Sequence, residues 1–175
     1  MEIIEYEEKY LEDVKDLLVE LEEYIVSIDK DGLDQVGEDY RDKMALYDLE
    51  EVTGNNGKCY LAIQDKHAIG LIMGMIQKYE ESDYLDYKCP KKGRIIELIV
   101  SKKARSNGIG KELMNEMEKY FKQEECEYIS VEVFAYNNSA INFYQKKGYH
   151  ERMHDMIKKI WIKKLNIQKK LLKTK

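Results

Sequence analysis

The segment from Arg94 to Phe121, RIIELIVSKKARSNGIGKELMNEMEKYF, gathers residues suited to binding an anion. An apolar, β-branched run (Ile95 to Val100) enters a basic, glycine-bearing turn (Ser101 to Gly110), and a helix patterned for one-sided burial comes next. A strand, a loop and a helix N-terminus in succession leave main-chain N–H groups unpaired at the positive end of a helix dipole, where a phosphate is held well. Gly108 and Gly110 let backbone approach a ligand with no Cβ between them. Lys102, Lys103, Arg105 and Lys111 add positive charge around the same point. The chemistry implied is recognition of a pyrophosphate-bearing cofactor.

Two familiar phosphate patterns fail here. A P-loop needs a glycine five residues before the Gly-Lys pair and a Ser or Thr after it; Arg105 and Glu112 occupy those positions. A dinucleotide fingerprint needs a third glycine three residues after the second, and that position is Leu113. What remains is Arg-x-x-Gly-x-Gly, read through Arg105, Ser106, Asn107, Gly108, Ile109 and Gly110. Further on, Ile129 to Phe134 (ISVEVF) has the length and β-branched content of a strand and leads into AYNNSAINFYQKKGY.

These two segments resemble the signatures of the GNAT superfamily of N-acetyltransferases. The first resembles its acyl-CoA pyrophosphate loop. The second matches its other motif at Asn137, Ala140, Phe143, Tyr144, Gly148 and Tyr149. Lys102 stands where a proline is frequent and Ser106 where a glycine is frequent, and neither removes a backbone donor. The resemblance implies acetyl-CoA as cofactor, held by Arg105 to Lys111 and along the strand at Leu98, Ile99 and Val100, with Asn137, Ala140 and Tyr144 beside the arm. It implies direct transfer of an acetyl group to a primary amine, with Tyr144 as proton donor to the leaving thiolate. Tyr144 lies seven residues after Asn137, two helical turns on. For Asn137 a helix N-cap is the alternative role, and for Tyr144 simple ring packing.

Two carboxylates interrupt strand-like runs. Glu97 lies within IIELIV, on a face with Ile95 and Ile99 by alternation; Glu132 lies within SVEVF, with Ser130 and Phe134. A carboxylate in a covered strand is costly unless paired or useful, and burial raises its pKa toward the range of a general base. Glu97 is the first candidate and Glu132 the second; structural carboxylates are the alternative for both. In the superfamily the acceptor groove is lined by the first helices, their loop, and the loop before the first-motif strand. Here those pieces carry Asp29, Asp31, Glu81, Asp83 and Tyr84. Acids and tyrosines at a cleft mouth attract a cationic amine: a polyamine, an aminoglycoside-like sugar or a peptide amine. The competing functions are a protein N-terminal or lysine acetyltransferase and a non-catalytic acyl-CoA-binding or regulatory module, since fold alone does not guarantee activity.

The 175 residues suit a single α/β (α+β) domain. The net charge of −5 conceals a polarity: residues 1–51 hold 19 acids and 5 bases, whereas residues 157–175 hold 8 lysines and no acid. The acidic body argues against a nucleic-acid partner despite the basic tail. No apolar run is long enough for a membrane span, and the N-terminus has no signal-like pattern. Cys59, Cys89 and Cys126 lack metal-ligand spacing, so we expect no metal and free thiols in a reducing cytoplasm.

Patterning predicts a strand over 1–6, a helix over 9–28, a loop over 29–37 and a helix over 38–52. It then predicts a hairpin of 59–64 and 68–79 about Asp65-Lys66-His67, an acidic loop over 80–93, the two motif units, and a final strand from His150 to about Lys163. Gly70 and Gly74 suggest bulges or close packing. The expected whole is a mixed, mostly antiparallel sheet, splayed between two parallel strands and flanked by about four helices. This domain would span 1–163, followed by a basic tail, 164–175, that forms an amphipathic helix or frays. Ile160, Trp161 and Ile162 suggest a strand end or a homodimer contact.

Overall fold

The computed structural model describes residues 1–160. The chain divides into two compact units, Met1–Ile141 and Asn142–Lys175. The first holds a five-stranded sheet in sequential order: β1 (Glu2–Glu5), β2 (Lys58–Gln64), β3 (His67–Ile76), β4 (Lys92–Val100) and β5 (Tyr128–Val131). The first four strands pair antiparallel, and β5 runs parallel to β4. The helices are α1 (Leu11–Ile28), α2 (Tyr40–Gly54), α3 (Ile109–Gln123) and α4 (Asn138–Lys146), the last crossing from the first unit into the second. The mixed sheet with four helices is the expected fold class.

Apolar stripes decide which face each helix covers. Val14, Leu17 and Leu18 of α1 and Ala45 and Val52 of α2 share a core with Leu61, Leu71, Met73 and Ile99. On the opposite face α3 brings Leu113, Met114, Met117 and Phe121, all fully buried. That helix lies close because the sheet beneath it carries glycines. A Cβ on Gly74 would stand 2.8 Å from Met117 Sδ and from the Phe121 ring, and one on Gly93 would stand 2.5 Å from the same ring. Such separations are inside van der Waals contact, so these positions tolerate no side chain without repacking.

The β2–β3 hairpin closes at Asp65-Lys66 alone, both with positive φ, and His67 pairs with Gln64 as the first residue of β3. Two left-handed residues match the twist of the flanking strands, so the turn is one residue shorter than patterning suggests. The parallel pair is short: Lys92–Ile95 pair with Tyr128–Val131, and β4 continues to Val100 with no strand on that side among the described residues. This is the expected splay.

Two boundaries differ from expectation. The strand predicted to reach Phe134 ends at Val131, which leaves Glu132 outside the sheet. The predicted final strand is absent over 150–160, where Met153, Met156, Ile157 and Ile160 are exposed; β-branched content alone does not make a strand. Trp161, Ile162 and the 164–175 tail lie outside the described residues, as does the boundary expected at 163.

Candidate active site

The turn after β4 is built as an anion cradle. Ser106 (φ +67°) and Gly108 (φ +79°) both take left-handed backbone, with Gly108 as the N-cap of α3. Among the described residues, no acceptor takes the N–H of Ser106, Asn107, Gly108, Ile109 or Gly110; the first satisfied donors are Lys111 and Glu112, both bonded to Gly108 O. Successive N–H groups converging at a helix start are the means by which a main chain holds an anionic group. Arg105 and Asn107 brace the loop through main-chain carbonyls. Arg105 donates to Val100 O (2.9 Å) and to Glu20 (3.4 Å), and its guanidinium lies 5.6 Å from the Tyr24 ring. Glu20 also accepts from Ser101 Oγ (3.1 Å) and Lys102 N (2.5 Å). Lys111 is exposed.

The Tyr24 hydroxyl in turn donates to Asn137 Oδ1 (3.4 Å), and the same oxygen accepts the Ala140 N–H (3.1 Å). Asn137 therefore caps α4, the alternative role that its sequence position allowed. Of the strand residues, Ile99 is buried in the core, whereas Leu98 and Val100 are half-buried on the unpaired stretch of β4. In the second unit, Tyr144 is buried with its ring edge-on to Phe143 (5.3 Å) and Tyr149 (5.6 Å).

Glu97 owes its position to a bulge. Met73 pairs with Glu97 and Gly74 with Ile95, which leaves Ile96 as an extra residue in β4. A bulge bends its strand and re-aims the side chains beyond it. Ile95 thus faces α3 with Gly74, while Glu97 faces α1 and α2 with Met73, so the expected sharing of a face by Glu97 and Ile95 is corrected by the inserted residue. On that face Glu97 lies within electrostatic reach of Asp48 of α2 and Glu22 of α1. Burial, then Asp48, then Glu22, push the Glu97 carboxyl up to about 8. Burial and Glu51 push Asp48 up to about 6. Tyr40, whose hydroxyl donates to Glu22, is raised by burial and by Glu22, Glu97 and Asp48. Glu22 is raised by burial and Asp34, against that hydrogen bond.

The other predicted carboxylates have different surroundings. Glu132 is exposed and paired with Arg94 (3.1 Å), so the premise of a strand-buried carboxylate does not hold for it. Asp29 accepts the N–H groups of Asp31, Leu33 and Asp34, which fold the α1–α2 loop and hold its carboxyl low. Asp31 accepts from the Tyr136 hydroxyl (3.1 Å). Glu81, Asp83 and Tyr84 sit on a 3-10 turn, Glu81–Leu85; Asp83 accepts the Glu80 N–H, and Tyr84 packs on Tyr79. Tyr79 in turn lies under Lys92, at the start of β4 and ~16 Å of strand from Glu97. Patterning missed Asp48, Glu22 and Tyr40. A signal for Asp48 exists: it occupies the middle place of the stripe Ala45, Asp48, Val52, where the other two residues are apolar. Among the described residues, no three His, Cys, Asp or Glu side chains are placed to hold a metal ion, and no helix is long and apolar enough to cross a membrane. The three cysteines are free thiols.

A parallel pair opened beyond its first residues thus lies beside an anion cradle at the end of one of its strands. The sequence pattern of the Acetyltransferase (GNAT) family matches residues 15–149, and the chain belongs to that family. It is 35% identical over 94 residues to an uncharacterised N-acetyltransferase of Methanocaldococcus jannaschii, a match spanning 53% of each chain; it thus covers about half the length of that curated relative. Among solved structures, a mutant of a Bacillus halodurans protein superposes with a TM-score of 0.79 at 18% identity, over 92% of this chain and 100% of that one. An aminoglycoside N-acetyltransferase in complex with CoA superposes with a TM-score of 0.64 at 15% identity, over 91% of this chain and 100% of that one.

Proposed function

We propose that this protein is an acetyl-CoA-dependent N-acetyltransferase that acts on a primary amine of a cationic small molecule, in a reducing cytoplasm. The observation that carries this reading is the half-buried Glu97 carboxyl, turned by the Ile96 bulge into a group of carboxylates beside the unpaired edge of β4. The main-chain groups fit the cofactor: five N–H groups without an acceptor suit a pyrophosphate, and the edge of Leu98 to Val100 suits the amides of the pantetheine arm. When bound, acetyl-CoA supplies an activated acetyl thioester. Family membership, and CoA in the aminoglycoside N-acetyltransferase of similar fold, support that choice.

Glu97, once anionic, would take one proton from the acceptor ammonium and leave the neutral amine that bonds to the acetyl carbon. Tyr144, assigned by its motif position, would give a proton to the sulfur as the carbon–sulfur bond breaks, and the proton that the nitrogen sheds on amide formation would restore the tyrosine. Glu97 is largely protonated at neutral pH with nothing bound, because burial, and after it two further carboxyls, oppose its charge. An incoming ammonium favours its anionic form, so a cationic acceptor prepares its own base.

The test is acetyl-CoA-dependent thiol release across polyamines, aminoglycosides, amino acids and a lysine-containing peptide. Turnover with a cationic small molecule supports the reading. Turnover confined to the peptide moves the function to protein acetylation. Silence across the panel with acetyl-CoA still bound identifies a binding module and overturns the enzyme assignment.

A further inference from the structure

Asp48 is 4% exposed, and its Oδ2 accepts no hydrogen bond from any described residue. A buried carboxylate oxygen without a donor is costly, and folds retain one where something outside the chain completes it. Every charged group acting on this cluster is an acid or a weak acid: Glu97 from β4, Glu22 from α1, Tyr40 and Glu51 from α2, Cys59 from β2, and Asp34 from the α1–α2 loop. Among the described residues, no lysine, arginine or histidine contributes to any of these shifts. A partner suited to these all-acidic surroundings is a cation that also donates hydrogen bonds, as an organic ammonium does.

We propose that Asp48 is a second cation subsite beside Glu97, so that the acceptor is an aliphatic diamine: one amine faces Glu97 for transfer while the other, as an ammonium, is held by Asp48. This rests on the reading of Glu97 as the residue that meets the reacting amine, and it narrows the acceptor from cations in general to molecules with two. A monoamine satisfies one carboxylate and leaves the other buried and bare. A diamine satisfies both, and the penalty of the unpaired group becomes selectivity.

The experiment is calorimetric titration of the full chain with 1,4-diaminobutane and with 1-aminobutane, for the unaltered protein and for Asp48→Asn, which keeps the shape and removes the charge. The diamine is expected to bind at least about tenfold more tightly than the monoamine, with Asp48→Asn abolishing that preference. Equal binding of the two amines by the unaltered protein overturns the subsite and does not depend on any variant folding. A preference that survives Asp48→Asn overturns it as well. Thiol release with the same amines separates the two claims. Diamine preference in binding without thiol release defeats the enzyme assignment and leaves the subsite standing. Release with equal Michaelis constants for both amines leaves the enzyme standing and defeats the subsite.

Discussion

Glu97 and Ile95, two residues apart on β4, lie on opposite faces of the sheet. An uninterrupted strand would place them together. The residue between them, Ile96, is left out of the register with β3, and that one insertion sends an apolar side chain toward α3 and a carboxyl toward α1 and α2. Deleting Ile96 should remove the bulge and leave Met73 opposite Glu97 and Gly74 opposite Ile95, so both side chains keep their faces. The cost is then the packing that Ile96 makes against the α1–α2 core, about 1 to 3 kcal/mol in a denaturant titration. Failure to fold would mean that the deletion shifts the register of β4 and turns Glu97 away from α1 and α2.

Glu97→Gln keeps the shape and removes the titration. Because the Glu97 carboxyl is raised to about 8 with nothing bound, kcat/KM of the unaltered protein should climb with pH through that region as the base becomes anionic. The variant should lose about 10²-fold or more in kcat and lose that limb, so that only the ionisation of the acceptor amine remains in its profile. Superimposable pH profiles for the two proteins would remove Glu97 from the mechanism.

The loop after β4 was legible because its chemistry is local: basic residues, two glycines and a helix start lie within a few positions, and the main chain alone supplies the donors. The same holds for α1, whose stripe of Val14, Leu17 and Leu18 is the buried one. What patterning could not show are the consequences of pairing. The bulge at Ile96 leaves no mark in IIELIV, since both faces of that strand are covered and either register reads as apolar. Glu132 looked equivalent to Glu97 because its neighbours are β-branched; that β5 ends before it is a consequence of the splay of β4, a non-local property. Asp48 was hidden by the charged surroundings of α2, in which one more acid attracts no notice.

Ser106 carries a left-handed φ of +67° at a position where this family often has glycine. A Cβ in that region costs about 1 kcal/mol, which glycine does not incur. Ser106→Gly should therefore stabilise the protein by up to about 1 kcal/mol, a rise of a few degrees in melting temperature, and should leave acetyl-CoA binding intact, because the donors in the cradle are main-chain. A weakened affinity for acetyl-CoA would show that the serine hydroxyl, and not the backbone, makes the contact.

Glu20 holds the cradle from below by accepting from Ser101, Lys102 and Arg105 together. Glu20→Gln retains its size but weakens three charge-assisted contacts. The Michaelis constant for acetyl-CoA should rise by about three- to tenfold, while kcat at saturation stays near its original value, because Glu20 meets no reacting atom. A fall in kcat at saturating acetyl-CoA would place Glu20 closer to the chemistry than its contacts indicate.

The acidic cluster also predicts how stability depends on pH. Glu97 and Asp48 are raised from ordinary carboxyl values to about 8 and about 6. The folded state therefore holds their protons more tightly than the unfolded chain does. Their contribution to stability is fully present below the unfolded values, near pH 4, and is lost as pH rises through 6 and then 8. General acid unfolding acts in the opposite direction at the lower end, so the informative window runs from about pH 5.5 to about 8.5. Across it, denaturant titrations should show stability falling, with the slope reduced in Asp48→Asn at its lower end and in Glu97→Gln at its upper end. A diamine present in excess should flatten the same slope in the unaltered protein by neutralising the cluster. Stability that is level with pH, with or without the amine, would mean that these carboxyls share their charge with water and are not confined as their burial indicates.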